Sequence, residues 1–328
     1  MHKTIKKIGV MTSGGDSPGM NAAIRSVVRT CAYHNIECFG IYKGYEGLID
    51  GDFIPLDARS VRGIINKGGT FLKSARSKRF RTKEGRKAAH DQLLKNNIDS
   101  LVLIGGDGTF TGGLVFNQEY GFPVMGIPGT IDNDINGTDR TLGYDTALNT
   151  AVEAIDKIRD TAHSHDRLFF VEVMGRDVGH IALNAGVGAG AEEILIPEED
   201  MGIDRLVESL ERSKKSGKSS SIVIVAEGDK IGKSVFELKD YVDENLDEYD
   251  VRVSVLGHMQ RGGSPTCYDR VLASRMGVKA VESLIEGKSN FMVGTIHDKM
   301  ELCPLEKAIK GHSKINKELI RVSDIMTT

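Results

Sequence analysis

Short apolar runs of strand length alternate with helical periodicity along almost the whole chain, and several runs end directly in turns of glycine, threonine and aspartate. This alternation constrains the fold more than any single residue does. Strands separated by helix-length segments build βαβ units, and these give a mostly parallel sheet covered by helices on both faces. Strands are expected at 8–12, 38–42, 101–104, 124–127, 169–174, 194–196, 222–226, 252–256 and 292–295. Helices are expected at 83–95, 145–161, 201–215 and 269–286, preceded by one carrying Met20, Ala23, Ile24, Val27, Val28 and Cys31 at helical spacing. Asp16 or Ser17 would cap that first helix, with Pro18 in its first turn.

At 328 residues the chain exceeds one compact core. The expected fold class is α/β: two Rossmann-like three-layer domains with mostly parallel sheets. No linker separates the halves, so the domains are read as interleaved: 1–143 plus 257–305, and 144–256 plus 306–328. A net charge of −3 gives no reason to invoke nucleic acid or an acidic membrane surface. No apolar run approaches the roughly 18–20 residues of a membrane span, and residues 5–11 are too short for a signal-peptide core. Cys31, Cys38, Cys267 and Cys303 lack paired metal spacing and suit a reducing compartment. The expectation is a cytoplasmic protein.

Four runs carry most of the chemistry. Thr12-Ser13-Gly14-Gly15-Asp16-Ser17-Pro18-Gly19-Met20-Asn21 joins a strand to a helix, where free amides and the helix dipole favour an anion. A tight structural turn is the plainer reading of that run alone. Gly105-Gly106-Asp107-Gly108-Thr109 follows a buried strand. Its glycines admit a phosphate, and Asp107 can carry a metal, cap a helix beginning near Thr109, or do both. Pro128-Gly129-Thr130-Ile131-Asp132-Asn133-Asp134 follows the next strand. If this segment is extended, Asp132 and Asp134 point the same way and either share a metal or supply a base and a second charge. A fourth run, Leu256-Gly257-His258-Met259-Gln260-Arg261-Gly262-Gly263-Ser264-Pro265, offers His258 and Arg261; arginine's planar fork suits phosphate. Ser164-His165-Asp166-Arg167 and Met174-Gly175-Arg176 put arginines at both ends of one strand. There is no P-loop motif, and the protein-kinase motif set is missing.

Together and in this order, the runs resemble the bacterial-type ATP-dependent 6-phosphofructokinases, from about residue 8 to residue 277. Nicotinamide-dinucleotide kinases and lipid kinases share the Gly-Gly-Asp-Gly-Thr run but are not expected to carry Pro128–Asp134 together with Gly257–Ser264. Pyrophosphate-dependent phosphofructokinases typically hold an acidic residue where this chain has Gly108 and a lysine where it has Gly129. The glycines leave room for a nucleotide and favour ATP. Gly186 to Ala191 satisfies a dinucleotide-binding pattern, but helix rather than strand precedes it, which argues against a dehydrogenase. A non-catalytic sugar-phosphate sensor would be expected to have lost Asp107 or Asp132.

The resemblance implies ATP-dependent phosphorylation of fructose 6-phosphate at its 1-hydroxyl, the committed step of glycolysis, with Mg2+ and a homotetramer. It implies catalytic roles for Asp132, Thr130, Arg76, Gly15 and Arg176, and nucleotide contacts from Gly15, Tyr45, Arg76, Ser77, Gly106, Asp107, Gly108 and Thr109. Asp107 is the implied metal ligand. Thr130, Asp132, Asp134, Met174, Gly175, Arg176 and Glu227 are implied for the sugar. His258, Arg261, Arg167 and Arg252 are implied for its 6-phosphate, the last two from a neighbouring subunit. An effector pocket for ADP or phosphoenolpyruvate is implied at Arg25, Arg29, Arg159, Gly190, Glu192 and Lys218. There Ala58 stands where many members have arginine, Gly63 replaces a common aspartate, and Ser219 and Ser220 replace frequent Lys and His.

Overall fold

The computed structural model describes residues 5–165, 167–199, 203–215, 221–228, 234–246 and 249–326. In chain order the first elements are β1 (Lys7–Thr12), α1 (Met20–Tyr33), β2 (Glu37–Ile41), α2 (Tyr45–Asp50), β3 (Phe53–Leu56), α3 (Lys83–Lys95), β4 (Ser100–Gly105), α4 (Asp107–Tyr120) and β5 (Val124–Pro128). Next come α5 (Tyr144–His165), β6 (Arg167–Val173), α6 (His180–Ala189), β7 (Glu193–Leu195), α7 (Ile203–Lys215), β8 (Ser221–Ala226), α8 (Val235–Asn245) and β9 (Asp250–Val255). The chain closes with α9 (Cys267–Ile285), β10 (Phe291–Ile296), β11 (Lys299–Pro304), α10 (Leu305–Ala308) and α11 (Lys317–Met326).

Two compact units result, residues 1–146 with 261–313 and residues 147–260 with 314–328. The crossings differ from 143, 256 and 305 for local reasons. The first turn of α5 is held by Asp269, which accepts from the Thr146 amide at 2.9 Å. Gln260, fully buried, accepts from the Met174 amide at 3.3 Å and so belongs to the second unit. Ser313 donates its amide to the Asp134 carbonyl at 2.9 Å, which keeps the chain in the first unit past residue 305.

In the first unit the described strands run β11-β10-β5-β4-β1-β2-β3. The central strands β4 and β5 are buried at every residue, as parallel strands covered on both faces must be. Only the edges are antiparallel. β3 pairs with β2, and β11 folds back on β10 through His297 and Asp298, both in the left-handed region, as a two-residue hairpin turn requires. The second unit holds an all-parallel sheet in the order β7-β8-β6-β9.

The starts of α1 and α4 differ from expectation in their caps. α1 begins at Met20 with Gly19 as its N-cap at φ 101° and no side-chain cap, so Asp16, Ser17 and Pro18 all precede the helix. A left-handed backbone at Gly19 cannot continue a helical turn towards Pro18. α4 begins at Asp107 rather than near Thr109, and no side chain caps it. Asp107 is therefore a first-turn residue, favoured there by the helix dipole.

Candidate active site

In the first unit the expected residues collect beyond the carboxyl ends of β1, β4 and β5. Packing leaves no freedom at Gly105. A Cβ there would stand 2.4 Å from both the Ser13 carbonyl and the Thr109 hydroxyl. Thr109 is buried and donates to that same carbonyl at 3.1 Å, which ties the start of α4 to the turn after β1. Gly15 is exposed, and a Cβ on it would lie 2.7 Å from the Arg261 guanidinium. Arg261 in turn donates to the Asp16 carbonyl at 3.2 Å, so this arginine supports the glycine turn. Ser74, which the sequence reading did not single out, donates its hydroxyl to the Gly14 carbonyl.

Tyr45 is buried under α4. Its ring stacks on Phe80 at 3.9 Å and its hydroxyl donates to the Thr109 carbonyl at 2.6 Å, while burial raises its pKa. Gly112 is glycine because a Cβ would meet that ring at 2.9 Å. Ser77 accepts from the Phe80 amide at 3.0 Å, and Arg76 is exposed on the same loop.

The loop after β5 is not extended. Asn133 takes φ 54°, which turns the two aspartates apart. The Asn133 side chain accepts from the Thr141 amide at 2.8 Å and donates to the Asp139 carbonyl at 3.2 Å, which locks the turn. Asp132 faces Thr130, whose hydroxyl donates to its carboxylate at 3.3 Å and accepts from its amide at 3.2 Å. Asp134 instead faces Asp107 and His312. One donor atom from each of these three residues lies within 4.8 Å of the others. Thr130, Asp132 and Asp134 are all buried. Carboxylate oxygens from Asp107 and Asp134 are the hard donors that a magnesium ion takes.

The two glycines behave differently. A Cβ at Gly108 would meet nothing within 4 Å, so the space beside it is open. At Gly129 a Cβ would meet the Met20 methyl at 3.1 Å and Ile104 at 3.3 Å. Gly129 therefore serves packing against α1 and β4, a reason for glycine other than the nucleotide space expected from the sequence.

In the second unit Met174, Gly175, Arg176 and Glu227 come together at the carboxyl ends of β6 and β8. Glu227 accepts from the Arg176 amide at 2.7 Å and the Gly175 amide at 3.3 Å. Gly175 has φ 149° and Arg176 φ 58°, and a Cβ at Gly228 would come within 2.0 Å of the Arg176 carbonyl. Glu172, on β6, has its pKa raised by burial and by the neighbouring Glu227 charge. His258 is exposed on a short 3-10 turn, Gly257–Arg261. Gln260 anchors that turn, donating to the Gly257 carbonyl at 3.1 Å.

Arg167 and Arg252 lie elsewhere. Both grip Asp250, Arg167 at 2.7 Å and Arg252 at 2.5 Å, and the Arg167 hydrogen bond leads the causes that lower the Asp250 pKa. Arg167 and Asp250 are paired at the amino ends of β6 and β9. Six residues of strand, about 20 Å, separate Arg167 from the Met174 end, so within one chain they cannot grip the same small ligand.

The expected effector residues divide likewise. Arg159 donates to the Ala189 carbonyl at 2.9 Å and the Gly190 carbonyl at 2.7 Å, and it sits 3.6 Å from Glu192. Arg25 and Arg29 lie one turn apart on α1 in the first unit, and burial, then the Arg29 charge, lowers the Arg25 pKa. Lys218, with Ser219 and Ser220, lies outside the described residues.

Glycine-rich turns and a locked acidic loop at the carboxyl ends of parallel strands define an α/β enzyme that handles phosphate. Known proteins narrow that class. The family described as Phosphofructokinase matches residues 7–284. The ATP-dependent 6-phosphofructokinase 2 of Bacteroides thetaiotaomicron is 50% identical over 319 residues, covering 97% of this chain and 98% of its own. The ATP-dependent 6-phosphofructokinase 1 of Thermus thermophilus is 53% identical over 322 residues, covering 98% and 99%. The solved phosphofructokinase from Saccharomyces cerevisiae matches with a TM-score of 0.88 at 37% identity over 98% of this chain, which spans 47% of the yeast chain. A pyrophosphate-dependent phosphofructokinase from Marinobacter aquaeolei shares the fold, with a TM-score of 0.85 and 21% identity over 96% of this chain and 86% of its own. The chain belongs to the phosphofructokinase family.

Proposed function

We propose that the protein transfers the terminal phosphoryl group of ATP to the 1-hydroxyl of fructose 6-phosphate, giving fructose 1,6-bisphosphate and ADP. This is the committed step of glycolysis, and it suits a cytoplasmic enzyme; no described helix is long and apolar enough to cross a membrane. The observation that carries the reading is the buried Thr130–Asp132 pair on a locked loop, in a chain about half identical to ATP-dependent relatives along nearly its full length. The open space at Gly108 favours ATP over pyrophosphate as donor. Incubated with fructose 6-phosphate and ATP, the protein should form ADP and fructose 1,6-bisphosphate in equal amounts, read by 31P NMR. ATP consumption without a new sugar phosphomonoester would reject the reading.

Within this reading, Gly15, Arg76, Ser77 and Gly106 to Thr109 receive the nucleotide, and Tyr45 supports them from beneath. Asp107 and Asp134 would hold Mg2+, which would supply charge neutralisation for the phosphate oxygens. Arg76 offsets charge that spreads over the transferring group, and the Gly15 amide and Thr130 hydroxyl position its oxygens. Asp132 takes the proton of the 1-hydroxyl. Met174, Gly175, Arg176 and Glu227 hold the sugar, while His258 and Arg261 hold its 6-phosphate.

Arg167 and Arg252 act on the site of a neighbouring subunit in a homotetramer, and the distance of Arg167 from the Met174 end of β6 supports this. Arg252→Ala should weaken apparent fructose 6-phosphate affinity about tenfold to a hundredfold, as a charge-assisted contact of about 1.5–3 kcal/mol implies, with little change for ATP. Mixed tetramers of Arg252→Ala and Asp132→Asn subunits should regain activity. Verified hybrids that stay inactive would put both residues in one chain's site.

The effector pocket is a blunted one. Arg159 already serves the Gly190 carbonyl and Glu192, Ala58 offers no charge, and Gly63 offers no carboxylate. Each missing contact removes about 1.5–3 kcal/mol. Phosphoenolpyruvate or ADP should therefore shift the fructose 6-phosphate response only weakly. Strong inhibition at micromolar phosphoenolpyruvate would show that Arg59, exposed beside Ala58, replaces the lost contacts.

A further inference from the structure

The closing stretch of the first unit brings an imidazole to the acidic loop. Ser313 donates its amide to the Asp134 carbonyl at 2.9 Å and its hydroxyl to the Asn133 carbonyl at 2.6 Å. Ile135 and His312 form an antiparallel bridge, and the Asn136 side chain donates to the Lys310 carbonyl. These backbone ties fix His312 beside Asp134, with Nδ1 3.7 Å from the carboxylate. That separation is too long for a direct hydrogen bond. It does suit two donors sharing one ion, because ligands about 2.0–2.2 Å from a small cation stand roughly 3–4 Å apart. Asp107 completes the group, its carboxylate within 4.8 Å of both other donors.

The burial of the three residues is graded. Asp134 is 4% exposed, Asp107 is half-buried and His312 is exposed. A cation here would keep one side open for phosphate oxygens and water. Two carboxylates alone would favour magnesium. An imidazole nitrogen raises affinity for first-row transition ions, least for Mn2+ and more for Co2+ and Zn2+, and adds little for magnesium, which takes oxygen.

We propose that His312 is a third protein ligand of the cation held by Asp107 and Asp134, and that it gives this site a preference for Mn2+, Co2+ and Zn2+ beyond what the carboxylates supply. The inference rests on the reading of Asp107 and Asp134 as the metal residues of the donor site, and Mn2+ serves as the probe for both.

Pulsed EPR of the full chain loaded with Mn2+ and ADP should show nitrogen coupling from a coordinated imidazole. His312→Ala and His312→Gln should lose that coupling and bind Mn2+ about tenfold more weakly, while Mg2+ affinity, measured by competition, changes less than about twofold. Asp134→Asn should weaken both ions. Ser313→Ala, which keeps the ring, should retain the coupling. Mn2+ that binds the wild-type protein without nitrogen coupling, or coupling that persists in His312→Ala, would overturn the role of His312 and leave the carboxylates in place. Failure of Mn2+ to bind the wild-type protein with ADP would remove both.

Discussion

Asp132→Asn should lower turnover by about 10²–10⁴-fold, the usual contribution of a general base, with the KM for fructose 6-phosphate nearly unchanged. The substituted amide keeps the shape of the side chain and can still accept from the Thr130 hydroxyl, the contact now made at 3.3 Å. It cannot take a proton. The loss corresponds to roughly 3–5 kcal/mol of transition-state stabilisation at about 1.4 kcal/mol per decade. Asp134→Asn is the informative control. Asp134 faces Asp107 and His312 rather than Thr130, so its loss should appear first as a higher requirement for divalent cation. An Asp132→Asn enzyme with more than about a tenth of wild-type turnover, far above the general-base range, would mean that another group removes the proton.

Asp269→Ala should cost at least about 3 kcal/mol of stability. Asp269 is fully buried in α9, yet its carboxylate accepts from the Gly143 amide at 3.0 Å, the Thr146 amide at 2.9 Å and the Thr146 hydroxyl. Burial raises its pKa, while the three donors pull it back down. Removing the carboxylate strands all three donors in a dry interior, at about 1–3 kcal/mol each. Thr146 also accepts from the Thr266 amide at 3.0 Å, and the Thr266 hydroxyl donates to Asp145 at 2.6 Å, so the starts of α5 and α9 loosen together. Urea unfolding followed by circular dichroism should show the midpoint falling, with Asp269→Asn falling less because one oxygen acceptor remains. An Asp269→Ala midpoint within error of the wild type would mean that water satisfies these donors.

The sequence reading worked where a residue's surroundings repeat its own pattern. β4 and β5 are continuous apolar runs because both of their faces are covered, and they were read directly. β3 holds Pro55 in four residues at an edge, and β11 alternates half-exposed side chains; neither shows a buried run. The glycine turns were legible, but their reasons were not. Gly129 packs on Met20, a neighbour brought near by α1. The directions of Asp132 and Asp134 depend on one left-handed residue, Asn133, held by Thr141. Long-range partners left no signal along the chain. Asp269 reaches residues some 120 positions away, and Ser313 reaches Asn133 across 180. Such contacts decide which side chain sits at the site and which merely supports it.

Use of ATP rather than pyrophosphate as phosphoryl donor is tested most directly by comparing the two. With saturating fructose 6-phosphate and Mg2+, initial rates of fructose 1,6-bisphosphate formation should be measured with ATP and with pyrophosphate at equal concentration. ATP should support a rate at least about a hundredfold above pyrophosphate, the scale of discrimination that a shaped pocket provides. A pyrophosphate rate equal to or above the ATP rate would contradict the account.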